Sequence, residues 1–203
     1  MKFPFLASFL LFCLLIFYNN KKSEKKRLQA KKEYFDRESI ANCTRKQPID
    51  DLDYISIPLD RLPTNVCPDD AVIKECLSDI NRLSEDKIVN FTGLTNTDLK
   101  LQYGPANLPF LQKCDLCYTH LVRVLQDWAK RLYDLDYHDD ALTVLQFSLE
   151  CKTDISSAYY LTADIYQEKG TPEKINELIE LASSINSLMK NSIIENLKER
   201  LTN

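Results

Sequence analysis

Sixteen residues without a charge, Phe3 to Tyr18 (FPFLASFLLFCLLIFY), run directly into Asn19, Asn20 and a cationic stretch. A helix that is apolar all round has no face to turn to water, so it is covered by protein or by lipid. At about 1.5 Å per residue it reaches roughly 24 Å, against a hydrocarbon core of about 30 Å. Asn19 and Asn20 in the interface, with lysines snorkelling to the headgroups, make up the difference. The sequence therefore predicts an uncleaved single transmembrane helix over residues 1–20. The rival is a cleaved signal peptide, which needs small residues where Ile16, Phe17, Tyr18, Asn19 and Asn20 stand. Cys13 follows Phe12 and so does not complete a lipoprotein signal.

Residues 21–32 hold Lys21, Lys22, Lys25, Lys26, Arg27, Lys31 and Lys32 against Glu24, a net of +6. The positive-inside bias then predicts a single-pass protein of the cell membrane with its C-terminal domain in the cytoplasm. Removing that +6, and +1 for Lys2, from the net −4 of the chain leaves −11 for residues 33–203. A body so acidic argues against a nucleic-acid partner. Beside a membrane, Lys21, Lys22, Lys25, Lys26 and Arg27 are read as a contact with anionic headgroups worth about 1 kcal/mol per cation, or as a topogenic stop. Six cysteines lie outside the anchor at irregular spacing, consistent with a reducing compartment. Two glycosylation triplets, Asn42-Cys43-Thr44 and Asn90-Phe91-Thr92, point the other way, toward an exported domain.

The rest reads as mainly α. Residues 21–46 form a basic, solvated juxtamembrane helix rich in good helix formers. Residues 47–106 form a linker punctuated by Pro48, Pro58, Pro63 and Pro68, with one or two short strands at Tyr54–Ile57 and Ile88–Phe91. Within it, Asp69 or Asp70 caps a helix through about Leu83, and Thr95 or Thr97 opens a brief helix ended by Gly104 and Pro105. Residues 107–203 form a helical domain whose strongest stripe is Phe110, Cys114, Cys117, Leu121, Val124, Trp128, Leu132 and Leu135. A second stripe, Leu111, Tyr118, Val122, Leu125 and Ala129, runs beside it. Shorter helices follow, with Asp139 or Asp140 as one N-cap, Gly170 at a left-handed C′ position and Thr171-Pro172-Glu173 opening the next.

An offset of 34 residues aligns Ala129 with Ala163, Leu132 with Tyr166, Ala141 with Ile175, Leu145 with Ile179 and Ser148 with Ala182. With small residues where antiparallel helices cross, this period resembles the tetratricopeptide repeat over about Val122 to Ile185, with Ser187 to Leu201 as a capping helix. An unrelated helical bundle is the alternative. The resemblance implies helical hairpins and a concave peptide-binding face carrying Gln126, Lys130 and Tyr133 from one pair and Tyr160, Asp164 and Gln167 from the next. It does not imply a carboxylate-terminal ligand, because Lys130 and Asp164 occupy the positions of the family's paired asparagines.

Chemistry finds little support. Three isolated glycines exclude a P-loop and a dinucleotide fingerprint, and two histidines exclude an HExxH zinc site. Cys114, Cys117 and His120 invite a thiol or zinc reading, yet on a helix they fan out, and both cysteines fall in the apolar stripes. Asp134 to Asp140 resembles half a calcium loop without its glycine and terminal glutamate. No cofactor, metal or catalytic residue is expected. The function predicted is a membrane-anchored cytosolic scaffold for protein–protein interaction. The alternative is a thiol- or metal-dependent enzyme or sensor using Cys114, Cys117 and His120.

Overall fold

Asp70 sets the start of the first helix of the body. Its carboxylate accepts the Val72 and Ile73 amides at 3.1 and 3.2 Å, and Ile73, Cys76, Ile80 and Leu83 then recur on one buried face. In the structure, a computed structural model describing residues 3–202, this segment is α2 (Ala71–Leu83), preceded by α1 (Phe3–Cys43). After it come α3 (Asn96–Tyr103), α4 (Leu108–Asp134), α5 (His138–Glu150), α6 (Ser156–Glu168), α7 (Ile175–Ser184) and α8 (Lys190–Thr202). Short 3₁₀ turns stand at Pro105–Asn107 and Pro172–Lys174. The contacts divide the chain into two units, residues 1–47 with 95–108 and residues 48–94 with 109–203. The segment 47–106, predicted as a linker, is thus shared between them.

In the first unit, α1 is one unbroken helix, and every side chain from Ser8 to Arg37 is exposed. Its C-terminal end docks on α3. Ala41 is fully buried, Arg37 pairs with Asp98 at 2.6 Å, Glu38 pairs with Lys100 and accepts the Thr97 hydroxyl at 2.7 Å, and Asn42 accepts Lys100. α3 opens on a capping box formed by Thr95 and Asp98 and closes at Gly104.

The transmembrane helix predicted over residues 1–20 is overturned: no helix among the described residues is long and apolar enough to cross a membrane. The uncharged run stops at about 24 Å, and the same helix continues into Asn19, Asn20 and the cations with no further apolar turn. Met1 and Lys2 of that segment lie outside the described residues. The predicted strands are corrected too, since the described residues contain no strand. Tyr54 and Val89 make a single antiparallel bridge, and the Ile55 amide donates to the Ile88 carbonyl at 2.9 Å. The pairing cannot extend: Pro58 has no N–H, and the Thr92 amide turns back onto Asn90 Oδ1 at 2.8 Å.

The second unit is built on two apolar clusters. In the first, α2, α4 and α5 meet Ile57, Leu62 and Ile88, with Trp128, Leu121, Leu125, Leu132 and Leu145 fully buried. Burying each such side chain contributes on the order of 1.5–3 kcal/mol. α2 runs antiparallel to α4, pinned by Asp70–Arg131 at 2.6 Å, Asp79–His120 at 3.1 Å and Asp86–Lys113 at 2.7 Å. In the second cluster, Leu149 meets Tyr159, Ala163 and Tyr166 of α6, Ile175, Leu178 and Ala182 of α7, and Ile193 and Leu197 of α8. α6 lies between the two, giving Ala158 and Ile165 to the first and Tyr159, Ala163 and Tyr166 to the second.

Two helix ends 34 residues apart have the same backbone geometry. After α4, Asp136 is left-handed at φ 64°, its amide donates to Tyr133 O at 3.0 Å, and the Tyr137 amide donates to Leu132 O at 2.9 Å. After α6, Gly170 is left-handed at φ 67°, its amide donates to Gln167 O, and the Thr171 amide donates to Tyr166 O, both at 2.9 Å. Both are Schellman turns, which satisfy the last carbonyls of a helix. The cap of α5 differs from expectation. Asp136 turns the chain so sharply that α5 begins at His138 behind Tyr137, and Asp139 and Asp140 fall inside the first turn, where carboxylates favour the helix dipole. Thr171 likewise makes no side-chain cap, and its hydroxyl donates to Tyr166 O at 3.3 Å.

Candidate functional site

The residues predicted to line a peptide face do not share one open surface. On α6, Tyr160, Asp164 and Gln167 are all engaged by Arg200 of α8. Its guanidinium lies 5.3 Å from the centre of the Tyr160 ring and pairs with Asp164, while its carbonyl accepts Gln167 Nε2 at 2.7 Å. On α4, Lys130 pairs with Asp134 one turn along at 2.9 Å. Tyr133 stacks on His138 with centroids 4.6 Å apart and donates to Glu168, whose other oxygen lies 3.1 Å from His138 Nδ1. Gln126 is half-buried, and its Oε1 has no hydrogen-bond partner. The chain therefore occupies much of this face with its own side chains.

Cys114, Cys117 and His120 are likewise kept apart in role. Cys114 is 1% exposed, and burial pushes its thiol up, with the neighbouring Cys117 adding to the effect. Burial also pushes up the Cys117 thiol. Both shifts run against the thiolate a nucleophile or a metal ligand needs. His120 Nε2 instead lies 3.1 Å from both the Asp79 carboxylate and the Arg82 guanidinium. Among the described residues, no three His, Cys, Asp or Glu side chains are grouped to hold a metal. The acidic segment Asp134 to Asp140 is spent on turns and ion pairs: Asp134 with Lys130, Asp136 3.8 Å from His138, and Asp139 with Lys169.

Open cavities lie among the described residues of the second unit. One of about 410 Å³ lies at the C-terminal ends of α5 and α7, bounded by Tyr54, Asn90, Glu150, Lys152 and Asn186. Another, of about 360 Å³, lies beside Phe91, Asp115, Tyr118 and Asp154. The Asp115 carboxyl there is raised by burial, while the Phe91 amide that donates to it pulls the other way. A third, larger than these two at about 600 Å³, is a groove between α2 and α4. Val72, Glu75, Cys76 and Asp79 line one side, and residues from His120 to Asp134 at helical spacing line the other.

Asn90, read from sequence as a glycosylation acceptor, has a structural task. Its Nδ2 donates to Tyr118 Oη at 2.9 Å and to the Cys151 and Lys152 carbonyls at 3.1 and 3.3 Å, closing the C-terminal end of α5. The Asn-x-Thr pattern hides this role, because the acceptors lie 28, 61 and 62 residues away. The groove residues Glu75 and Asp127 were missed as well. Their one signal was that they share a helical stripe with apolar positions, Val72 and Cys76 on α2 and Val124 on α4.

No protein-family model matches the chain, and no curated protein or solved structure is detectably similar to it.

Proposed function

We propose that the chain is a helical scaffold for protein–protein interaction held at the cytoplasmic surface of a membrane, without catalysis of its own. The observation that carries this reading is the recurrence of the α4 and α6 ends at an offset of 34 residues, with a left-handed residue at the same position, Asp136 and Gly170, and the same pair of hydrogen bonds, a cap that the α5 end also forms at Lys152. That recurrence, with α6 sandwiched between two clusters, supports tetratricopeptide-like hairpins α4–α5 and α6–α7 with α8 as a cap. Surfaces of stacked helical hairpins serve as docking platforms.

The membrane part rests on α1. Phe9 to Tyr18 present apolar side chains that are 44–65% exposed on every face, which water disfavours and acyl chains accept. Lys21, Lys22, Lys25, Lys26 and Arg27 follow on the same exposed helix, and the anionic inner leaflet attracts them. The thiol reading has no comparable support, since burial opposes ionisation of both Cys114 and Cys117.

Capture of partners by the full chain from solubilised membranes tests the proposal. A partner recovered at near-stoichiometric yield supports it. Turnover of a small molecule by the pure chain, with no partner above background, overturns it.

A further inference from the structure

We propose that the groove between α2 and α4 docks a helix of a partner protein that presents a lysine or arginine between small apolar residues. The inference rests on the scaffold reading and names its surface and the chemistry of its partner.

A ladder of ion pairs pins the two helices. At the Asp70–Arg131 and Asp79–His120 rungs each carboxylate meets a basic side chain. The groove of about 600 Å³ includes the positions between those rungs, and there the pattern fails. Glu75 on α2 and Asp127 on α4 both line it and both are exposed, yet neither has an ion pair or hydrogen bond among the described residues. By the register of these rungs Glu75 lies opposite about position 124 and Asp127 opposite about position 73, so the two carboxylates stand on the two walls about one turn apart, and Arg123 is the lining cation left without an ion pair among the described residues. Between the walls the floor is apolar. Cys76 and Val124 are each 6% exposed, and Val72 stands at the wall, 43% exposed. The Cys76 thiol reports the local field: burial pushes it up to about 11, and Asp127, Glu75 and Asp79 all add to the rise.

The cations that line the groove do not answer this charge. Lys130 is held by Asp134, Arg131 by Asp70 and His120 by Asp79. Arg123 lines the wall one turn from Asp127 without an ion pair among the described residues, and so is placed to take a carboxylate one turn along the same incoming helix. A cation supplied from outside completes the missing rung, and small apolar residues beside it cover Val72, Cys76 and Val124. From His120 to Asp134 the lining stripe is about 21 Å long, the reach of a helix of roughly fourteen residues in the helix-in-groove mode. Phosphate backbones and anionic lipid are disfavoured by the same carboxylates.

A labelled sixteen-residue alanine-rich helical peptide with lysines on one face, and a twin with glutamates in their place, are titrated into the full chain at low ionic strength. The lysine peptide is expected to bind at least tenfold tighter than its twin, and the Glu75→Lys, Asp127→Lys double variant to abolish or reverse that preference. Both side chains are exposed, and an unchanged circular dichroism spectrum and thermal midpoint establish that the variant is folded. Glu173→Lys, on the exposed 3₁₀ turn before α7, is expected to leave the preference intact. A preference that survives the double variant, or one that Glu173→Lys weakens equally, overturns the groove assignment. The same double variant in the capture experiment separates the two readings. Partners that still bind it overturn the groove and leave the scaffold standing, whereas no partner for either chain removes the scaffold reading.

Discussion

Asn90 shows how a single side chain stabilises the body. One amide group serves Tyr118 and two carbonyls at the end of α5, in a part-buried place where water is a poor substitute. Lys152, two residues after α5, is left-handed at φ 58°, and its carbonyl, turned away from the helical ladder, accepts this donor and the Tyr118 hydroxyl. Asn90→Ala removes one of two donors from those carbonyls, which keep the Tyr118 hydroxyl at 3.3 and 3.1 Å, and losing such a hydrogen bond costs about 0.5–1.5 kcal/mol. Urea denaturation followed by circular dichroism is expected to show that loss, and a midpoint equal to the wild type would contradict the cap. The residue scale is also where sequence reading was weakest. Asn90 was legible only as a triplet, and Arg200 was not singled out at all, because a partner 61 or 36 positions away leaves no local pattern.

At the scale of the element, helix ends carry most of the information. Asp70 caps α2 and also receives Arg131 through three contacts of 2.6 to 3.2 Å, and the guanidinium, followed by the Ile73 and Val72 amides, holds its carboxyl down to about 2. A folded value below the ordinary 3.8 means that the carboxylate stabilises α2 fully above pH 3.8. That contribution fades as the pH falls through about 2. Asp98 and Glu38, also lowered, add to the acid loss in the first unit. The diagnostic quantity is therefore the difference in thermal midpoint between wild type and Asp70→Asn: large near neutrality and shrinking toward pH 2. A difference constant over that range would show that Asp70 acts without its charge. The α4 end offers a second test. Asp136 occupies the left-handed position that Gly170 fills after α6, and its side chain is 99% exposed. Asp136→Gly is expected to raise stability by about 0.5–1 kcal/mol by relieving that conformation. A lowered midpoint would mean that the His138 contact at 3.8 Å matters more than the backbone.

Over the whole molecule, the sharing of α6 couples the two clusters of the second unit. Trp128, the only tryptophan of the chain, lies fully buried in the first cluster, while Leu197 lies fully buried in the second. Leu197→Ala opens a cavity costing about 2–5 kcal/mol. If α6 transmits that loss, the unfolding transition seen by Trp128 fluorescence shifts by the same amount. A Trp128 transition that stays in place while the far-ultraviolet signal moves would show that the clusters unfold separately. Charge is likewise a property of the molecule as a whole, with +6 concentrated in residues 21–32 and −11 spread over residues 33–203. Vesicle binding through α1 is therefore expected to weaken as salt rises.

By itself the sequence determined the helical class, the main apolar stripes of α2 and α4, the openings of α2 and α3 to within one or two residues, and the left-handed glycine after α6. Each of these depends on residues within a few positions of one another, whose spacing or caps the local backbone obeys. Only the tertiary structure decided that the two extended segments meet in one bridge, that Arg200 lies across Tyr160, Asp164 and Gln167, and that Glu75 and Asp127 line one groove without a counterion. Those outcomes join residues tens of positions apart, and such a pairing depends on how helices pack, which no short stretch of chain encodes. The N-terminal run shows the same limit from the other side: its apolarity was plain, but whether it spans a membrane depended on a length a few residues short.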